Sequence, residues 1–450
     1  MGSKLSKIAN TMEIVQHAKG ILRHKRSEQI YFVMIGLRLL GKGETMLEAF
    51  DEGTLTREQL ADYIRMIDVA HKQLLMRGHQ LRDAVDLTAA ALVRNAQLNT
   101  AKWHKWTSDE KIAALESIIE MIGKALPSPA WVQGQKLSGS AYTASLSSSV
   151  LDYPVEYGRR YHAYRSGSYV LPNDDIENER LDMAHALITR AIGNRLFLAP
   201  VSVGEVHKIL EIGTGTGIWA MEISDLFPNA EKSFHAVIGN DLGAIQPSWV
   251  PPNVKFEIDD VESPWVIDRK YDYIMCRYMA AAIGDWPKLI RQIYDNLNPG
   301  GWVEFQDLRI QLYSEDGSLE KNGHFTYDWS EDFVKALKSI GREPNPGPQL
   351  EGWVRGHGGF DHIAHQKYKI PVGPWAKEQH YKDLGLLNLA QLLEGLEGAS
   401  LKLFCGVLGR TREEVLTLLA AVRTELKSSI FHSMWDLHVV YAQKPTSVES

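Results

Sequence analysis

A glycine-rich turn is the feature that most constrains the fold of this chain. Residues 208–212 form a largely apolar run that contains the acidic Glu211, and an apolar helical segment begins at Ile218. Between them stand three alternating glycines, Gly213, Gly215 and Gly217. Because glycine tolerates a left-handed backbone and lets a ligand approach closely, the pattern predicts a strand, a ligand-binding loop and a helix. Ile218 replaces the third glycine of a dinucleotide-binding motif, and no Gly-Lys-Ser/Thr of a phosphate loop follows.

The composition restricts the class of protein. A length of 450 residues allows two domains, and a net charge of −7 argues against general nucleic-acid binding, so no nucleic-acid partner is expected. Two cysteines, Cys276 and Cys405, cannot make a disulfide framework and indicate a reducing compartment. No apolar run approaches the roughly 18 residues that span a bilayer, and the N-terminus lacks a signal-peptide core. These features predict a cytoplasmic protein, with nuclear or peripheral membrane-associated locations as alternatives.

The N-terminal residues are the basis for the membrane alternative. Met1–Ser6 matches the myristoylation pattern M-G-x-x-x-S/T, and basic residues outnumber the single acidic Glu13 in the first 26 positions. One acyl chain plus basic charge supports reversible contact with anionic lipid. A chance match of a short motif is the competing interpretation, and a nuclear signal at Arg23–Arg26 is a third.

Three regions follow one another along the chain. Residues 1–126 show helical apolar spacing and no chemical motif, which predicts an all-α helical bundle that binds a protein partner or associates with itself. Residues 127–155 are rich in Pro, Gly and Ser and form a predicted linker. In residues 156–450 strand and helix patterns alternate, which predicts a doubly wound, mostly parallel α/β sheet.

The alternating region supplies seven strand-like runs. The five expected to be parallel are 208–212, 237–239, 254–258, 271–276 and 302–306. Two closing strands are expected at 363–370 and 437–441. Predicted helices lie at about 177–192, 218–226, 286–297, 384–396 and 412–427.

Acidic residues follow the second and third predicted strands. Asp241 comes just after the second, and Asp259 and Asp260 follow the third. Open α/β sheets bind ligands at the carboxyl ends of their strands, and charge-assisted hydrogen bonds there are strong. We expect Asp241 to accept bonds from both ribose hydroxyls, and Asp260 with the Val261 N–H to contact adenine. With the glycine turn, this order predicts a pocket for S-adenosylmethionine; a helix cap and a solvated turn are the structural alternatives.

Further segments match a known family, namely residues 160–165, 171–174, 211–219, 241–242, 245–253, 256–260, 277–279, 285–287 and 299–307. With these segments the chain resembles the class I S-adenosylmethionine-dependent methyltransferases, specifically fungal ones related to the secondary-metabolism regulator LaeA. The resemblance implies a seven-stranded Rossmann-like methyltransferase sheet over 156–450, with S-adenosylmethionine as cofactor. The N-terminal helices are not covered and look like an added domain. The residues expected to bind the cofactor are Tyr164, Glu211, Gly213, Thr214, Gly215, Gly217, Asp241, Leu242, Asp259, Asp260, Val261 and Arg277.

Catalysis of methyl transfer mainly requires alignment of a nucleophile, and a general base is needed only when that nucleophile carries a proton. His162 lies in a segment expected to fold over the cofactor, and Tyr278 follows the fourth strand, where this fold usually places substrate-facing groups. These two are the catalytic candidates, with packing or pocket shaping as the alternative. The run His357–His365 fits no defined zinc spacing, so no metal is expected.

The predicted function is methyl transfer to a small-molecule acceptor in fungal secondary metabolism. The alternative is a regulatory methyltransferase that acts on, or docks to, protein partners that control secondary metabolism. A third interpretation is a bound cofactor without methyl turnover, in which the fold serves as a scaffold or catalyses another reaction.

Overall fold

The computed structural model describes residues 153–446, apart from 166, 168, 228–235, 248–250, 252, 267–268 and 321–322. The predicted helical bundle at 1–126, most of the linker at 127–155 and the acylation motif lie outside the described residues. Those expectations therefore stay predictions. Within the described part, no helix combines the length and apolar character needed to cross a bilayer.

The described chain alternates strands and helices, beginning with a short antiparallel hairpin of β1 and β2. The strands are β1 Val155–Glu156, β2 Arg159–Arg160, β3 Ile209–Ile212, β4 Val237–Asp241, β5 Val254–Ile258, β6 Tyr271–Arg277, β7 Leu297–Ser314, β8 Asp361–Pro371 and β9 Ser433–Gln443. The helices are α1 Asp175–Ala191, α2 Ile218–Leu226, α3 Trp286–Asn296, α4 Phe325–Ser339, α5 Gly347–His357, α6 Gln379–Gly406 and α7 Arg412–Ser428.

The main sheet of the described region has seven strands in the order β5-β4-β3-β6-β7-β9-β8. The strands from β3 to β7 pair in parallel, whereas β9 runs antiparallel to both of its neighbours. This mixed, mostly parallel sheet confirms the predicted Rossmann-like fold. Helices cover both faces, because alternate residues along one strand enter different cores: Leu210 packs with α3 and α5, and Ile209 packs with α2.

Several elements differ from the sequence-based expectation. β7 extends well beyond the expected 302–306, because the strand pairs with β9 from Trp302 as far as Ser314. Helices α4 and α5 were not predicted. Helix α6 continues past the expected end at 396 and contains Gly398, where a β-carbon would lie 2.4 Å from Nη1 of Arg159. Only glycine fits at position 398, because the buried Arg159 side chain occupies the space that a β-carbon would need.

Helix α1 is fixed by an ion pair at its start. Asp174 caps the helix by accepting the Glu177 N–H at 3.1 Å, and its carboxylate also accepts two hydrogen bonds from Arg159. The charged partner and backbone bonds lower the pKa of Asp174 against the opposing effect of burial. This anchors the β1–β2 hairpin beside the helix that flanks the site described next.

Candidate active site

A cavity opens at the carboxyl ends of the central strands, where the order of the sheet reverses. The chain proceeds from β3 to β4 and β5 on one side, and from β6 to β7 on the other. The loops that follow β3, β4, β5 and β6 line the cavity together with α1, and its empty volume including the open mouth is about 1180 Å³. Open α/β sheets bind their ligands at such a reversal. We call this space the first cavity.

The glycine turn supplies one wall of the first cavity. Gly213 and Gly215 have φ angles of +67° and +55°, a backbone that favours glycine. A β-carbon at Gly213 would lie 2.2 Å from Sδ of Met279, another residue of the lining. The turn therefore presents main chain to the cavity, as the sequence predicted. Thr214 also lines it and donates its hydroxyl to Glu211.

Gly217 has a different role from its two neighbours. It is the N-cap of α2 and has a φ angle of +80°. It is not part of the cavity lining, and a β-carbon there would lie 2.4 Å from Cζ of the buried Phe256. The structure thus does not bring Gly217 to the predicted cofactor site. Glycine is required because α2 packs closely on β5.

Replacement of Gly217 by alanine is expected to cost about 1–3 kcal/mol more unfolding free energy than the same change at Gly358, because overpacking a rigid core costs about that much. The two glycines share the left-handed strain, with φ angles of +80° and +76°. Only the Gly217 position is crowded, since nothing lies within 4 Å of a β-carbon at Gly358. Urea unfolding of Gly217→Ala and Gly358→Ala measures the difference, and equal losses would contradict the packing role.

Asp241 ends β4 and joins two loops of the first cavity. Its Oδ2 accepts the Gly215 N–H at 2.8 Å, and its Oδ1 accepts the Gly243 N–H at 2.9 Å. Burial raises the pKa of Asp241, and these backbone N–H groups oppose that shift. Asp241 and Leu242 both line the cavity, as predicted. The carboxylate therefore holds the glycine turn in place while it faces the ligand space.

The residues after β5 also reach the first cavity. Asp259, Asp260 and Val261 all belong to its lining. The Asp260 carboxylate accepts the Glu262 N–H at 3.0 Å and the Ser263 hydroxyl at 2.9 Å. The Asp260 carboxylate thus stabilises its own turn, and a turn was the structural alternative that the sequence left open. Asp260 nevertheless also lines the first cavity.

Arg277, at the end of β6, belongs to a buried polar chain. Its Nη2 donates to Nδ1 of His185 at 2.8 Å, and Nε2 of His185 lies 3.1 Å from Oε2 of Glu222. Burial lowers the pKa of Arg277, and the charge of Glu211 partly opposes this. Burial raises the pKa of Glu211 to about 7 despite the nearby Arg277. The cavity floor therefore holds a carboxyl group that titrates near neutral pH.

The sequence analysis missed several lining residues on or near α1. Asn173 and His185 line the first cavity, and Asp182 accepts the Thr216 hydroxyl at 2.6 Å. Asp182 and His185 are three positions apart on α1, so they share a helix face, which is the one signal that the sequence offered. That signal does not show which loop the face meets.

The two predicted catalytic residues lie in the lining, whereas Tyr164 does not. His162 is 3% exposed, and its Nε2 has no hydrogen-bond partner in the described part of the protein. Burial and the charge of Lys402 lower the pKa of His162, against a hydrogen bond to the backbone of Arg165 that raises it. Its imidazole is consequently neutral at pH 7.

Tyr278 follows β6 with a φ angle of +59°, a strained backbone for a tyrosine. Its hydroxyl accepts a hydrogen bond from Nη1 of Arg180 at 3.1 Å. Burial raises the pKa of Tyr278, although Arg180 opposes the shift, so the phenol stays protonated. Among the described residues, no group of three or more His, Cys, Asp or Glu side chains is arranged to hold a metal ion.

Known proteins share this fold and sequence pattern. Residues 183–343 match the family model described as a methyltransferase domain. Methyltransferase pytC of Aspergillus terreus is 48% identical over 301 residues, which cover 67% of this chain and 91% of that protein. Probable methyltransferase tdiE of Emericella nidulans is 30% identical over 305 residues, covering 67% and 93%. Secondary metabolism regulator laeA of Monascus pilosus is 32% identical over 318 residues, covering 68% and 84%.

The methyltransferase-domain match at residues 183–343 includes β3 to β7, and the described fold agrees with the resemblance seen in the glycine turn and the acids that follow it. The chain belongs to the LaeA-like family of fungal class I S-adenosylmethionine-dependent methyltransferases.

Proposed function

We propose that this methyltransferase methylates a small molecule of fungal secondary metabolism, with the first cavity as the cofactor site. The observation that supports this most directly is a set of buried polar atoms, on residues that line that cavity, that lack partners among the described residues. They are Nη1 of Arg277, Nδ2 of Asn173 and Nε2 of His162. Each belongs to a lining residue, and unpaired buried polar groups cost free energy unless a ligand or water satisfies them.

The donor set fits S-adenosylmethionine. Bare main chain at Gly213 and Gly215 admits the cofactor close to the backbone. We assign the ribose hydroxyls to Asp241 and the adenine to Asp260 and Val261. Glu211 and Arg277 form a complementary charged pair for the amino and carboxylate groups of the methionine part, since both line the cavity floor. The bound cofactor supplies an electrophilic methyl group.

His162 is the best candidate for a general base. The other lining histidine, His185, has both ring nitrogens engaged, one with Arg277 and one with Glu222. His162 instead keeps Nε2 free and its imidazole neutral. In transfer to a hydroxyl, the cofactor would supply the methyl group, and the hydroxyl oxygen would have to lose its proton. The acceptor's proton then passes to Nε2 of His162.

The relatives leave a regulatory role as the second candidate. The regulator laeA of Monascus pilosus is 32% identical to this chain, whereas methyltransferase pytC is 48% identical and is covered over 91% of its length. The higher similarity is to a relative named as a methyltransferase and not as a regulator, which supports an enzymatic function.

A labelling experiment separates the two functions. The purified full-length protein is incubated with a fungal metabolite extract, a fungal protein extract and methyl-labelled S-adenosylmethionine. We expect the label in organic-soluble products, and label confined to protein would support the regulatory function. Asp272→Asn serves as a variant that keeps activity, because Asp272 binds the His207 and Lys208 N–H groups away from the cavity lining.

Cofactor binding is expected to release a proton below pH 7. The pKa of Glu211 is about 7, with Arg277 and Asp241 as its charged neighbours, so the carboxyl is largely protonated in the free protein at pH 6. A cationic cofactor favours the ionised form, and its affinity therefore rises as the pH increases towards 7. Calorimetry in two buffers with different ionisation enthalpies measures the released proton.

The Glu211→Gln variant should bind without this proton release. Asp307→Asn is the matched control, because burial also raises the pKa of Asp307 to about 7 although this residue lies outside the cavity lining. If proton release persists in Glu211→Gln but disappears in Asp307→Asn, the titrating carboxyl is Asp307. That result would contradict the proposed contact between Glu211 and the cofactor.

A further inference from the structure

A second cavity lies beside the first and is not explained by cofactor binding. Its empty volume, including open solvent, is about 670 Å³. The lining comes from α1, the loop after β6, β7, α4, α6 and β9, so walls on several sides enclose it. This arrangement suits a compact molecule better than an extended polypeptide.

Apolar and aromatic side chains make most of the second cavity's wall. They include Trp329, Phe333, Leu392, Leu396 and Trp435. Apolar surfaces of this kind bind apolar ligands because burial removes both surfaces from water. The contents of the second cavity are therefore expected to be largely hydrocarbon or aromatic.

The charged groups of the second cavity neutralise one another. Nη2 of Arg180 donates to Oε1 of Glu177 at 2.7 Å, and Nη1 donates to Oε1 of Gln391 at 3.1 Å. Both charged side chains are buried and line the cavity. Since this cation already has a carboxylate partner, the wall offers no unmatched charge to an ionic ligand. A neutral ligand is the one that matches this wall.

One side chain that lines the second cavity carries a buried hydrogen-bond donor without a partner among the described residues. Trp435 is 6% exposed, and its indole N–H has no partner among the described residues. Burial of an unpaired donor is costly, so a ligand oxygen that accepts this bond would be favoured. The neutral ligand is consequently expected to carry a carbonyl, ether or hydroxyl oxygen.

Tyr278 connects the second cavity to the proposed chemistry. It is found in the lining of both cavities and adopts a left-handed backbone between them. The guanidinium of Arg180 lies 5.5 Å from its ring centroid and donates to its hydroxyl, which fixes the ring from the second-cavity side. A molecule in the second cavity thus contacts the same tyrosine that borders the cofactor site.

We propose that the second cavity is the acceptor site, and that the acceptor is a neutral, largely apolar or aromatic small molecule with a hydrogen-bonding oxygen opposite Trp435. This inference rests on the proposed function and names its substrate class. Tyr278 is then a positioning residue at the junction of the two cavities, and the acceptor presents its nucleophile past the phenol ring towards the methyl donor.

The test uses the full-length protein saturated with S-adenosylhomocysteine, so that the first cavity is filled. Nile red, a neutral aromatic dye with a carbonyl oxygen, is titrated by fluorescence into the wild type and three variants. Ala399→Phe fills the second cavity, and Trp435→Phe removes its N–H donor while it keeps an aromatic ring. Trp286→Phe is the matched control, because that buried indole N–H also lacks a partner but lies outside both cavities.

We expect Ala399→Phe to abolish saturable dye binding and Trp435→Phe to weaken it about fivefold, the loss of one neutral hydrogen bond. Trp286→Phe should bind the dye as the wild type does. Equal dye affinity in all four proteins would overturn the proposed site. Circular dichroism spectra and calorimetric titration with the cofactor confirm that each variant is folded with an intact first cavity.

A second measurement connects the second cavity to turnover. An organic-solvent extract of fungal culture is divided by ion exchange into neutral, acidic and basic fractions, and each is incubated with methyl-labelled cofactor. We expect label from the neutral fraction alone, and its loss in Ala399→Phe. Label that forms equally well in Ala399→Phe would overturn the acceptor site while the proposed methyl transfer stands. If no fraction is labelled although the cofactor binds, the proposed function fails, and the dye titration still decides whether the second cavity binds this ligand class.

Discussion

The His162→Gln variant is expected to lose about 10²–10⁴-fold in kcat for transfer to a hydroxyl acceptor, the range that a positioned general base contributes. Glutamine keeps polar character at the site but cannot take up the proton. The free Nε2 of His162 and its lowered pKa make it neutral over most of the physiological range. Formation of the labelled product measures kcat, and calorimetric titration measures cofactor affinity. We expect the affinity to change far less than kcat.

The pH profile gives this prediction a second readout. Because the pKa of His162 is lowered from 6.5, the kcat of the wild type at saturating cofactor should decline only as the pH falls below that value, and this acid limb of kcat should be absent in His162→Gln. His438→Gln is the matched control: His438 is also buried, its Nε2 also lacks a partner, and its pKa is lowered to about 4, but it lines neither cavity. An unchanged kcat in His162→Gln would exclude it as the base.

The Asp241→Asn variant is expected to weaken cofactor binding by about 1.5–3 kcal/mol, roughly 10–150-fold in Kd, because hydrogen bonds to a charged group contribute about that much. The carboxylate serves two purposes that asparagine meets only in part. It accepts N–H groups of both Gly215 and Gly243, and it faces the space assigned to the ribose. Calorimetric titration with S-adenosylmethionine measures the change.

Asp272→Asn distinguishes a lost ligand contact from a general loss of stability. Asp272 also accepts two backbone N–H groups, from His207 and Lys208 at 2.8 and 2.9 Å, but it lies near the start of β6 at the opposite end of the strand from the first cavity. The assignment of the ribose to Asp241 would be supported if the two variants lose similar amounts of unfolding free energy and only Asp241→Asn binds the cofactor more weakly. Equal affinity in the two variants would place the ribose elsewhere.

Much of the fold could be predicted because its signals are local. Strand runs, the glycine turn and Pro299–Gly301 each occupy a few adjacent residues, and a parallel sheet places the ends of successive strands along one edge. The predicted acids Asp241, Asp259 and Asp260 accordingly all border one cavity. The assignment of individual residues to cofactor atoms stays a prediction.

The errors arose where long-range packing decides the structure. Helices α4 and α5 were missed. The full length of β7 was also missed, because this strand is extended by pairing with β9, more than a hundred residues later. Gly217 does not line the first cavity as Gly213 and Gly215 do, although the three glycines have equal spacing in the sequence. Only the position of Phe256 shows that this glycine faces the sheet.

By itself, the sequence determined the sheet and the edge at which the first cavity opens, since the alternation of apolar runs and the glycine turn depend on neighbouring residues alone. The tertiary structure decided which distant side chains meet. Arg180 joins Gln391 across 211 positions, and Arg277 joins His185 across 92. Contacts of this kind follow from how helices pack on the sheet, and that packing established both the free nitrogen of His162 and the neutral second cavity next to Tyr278.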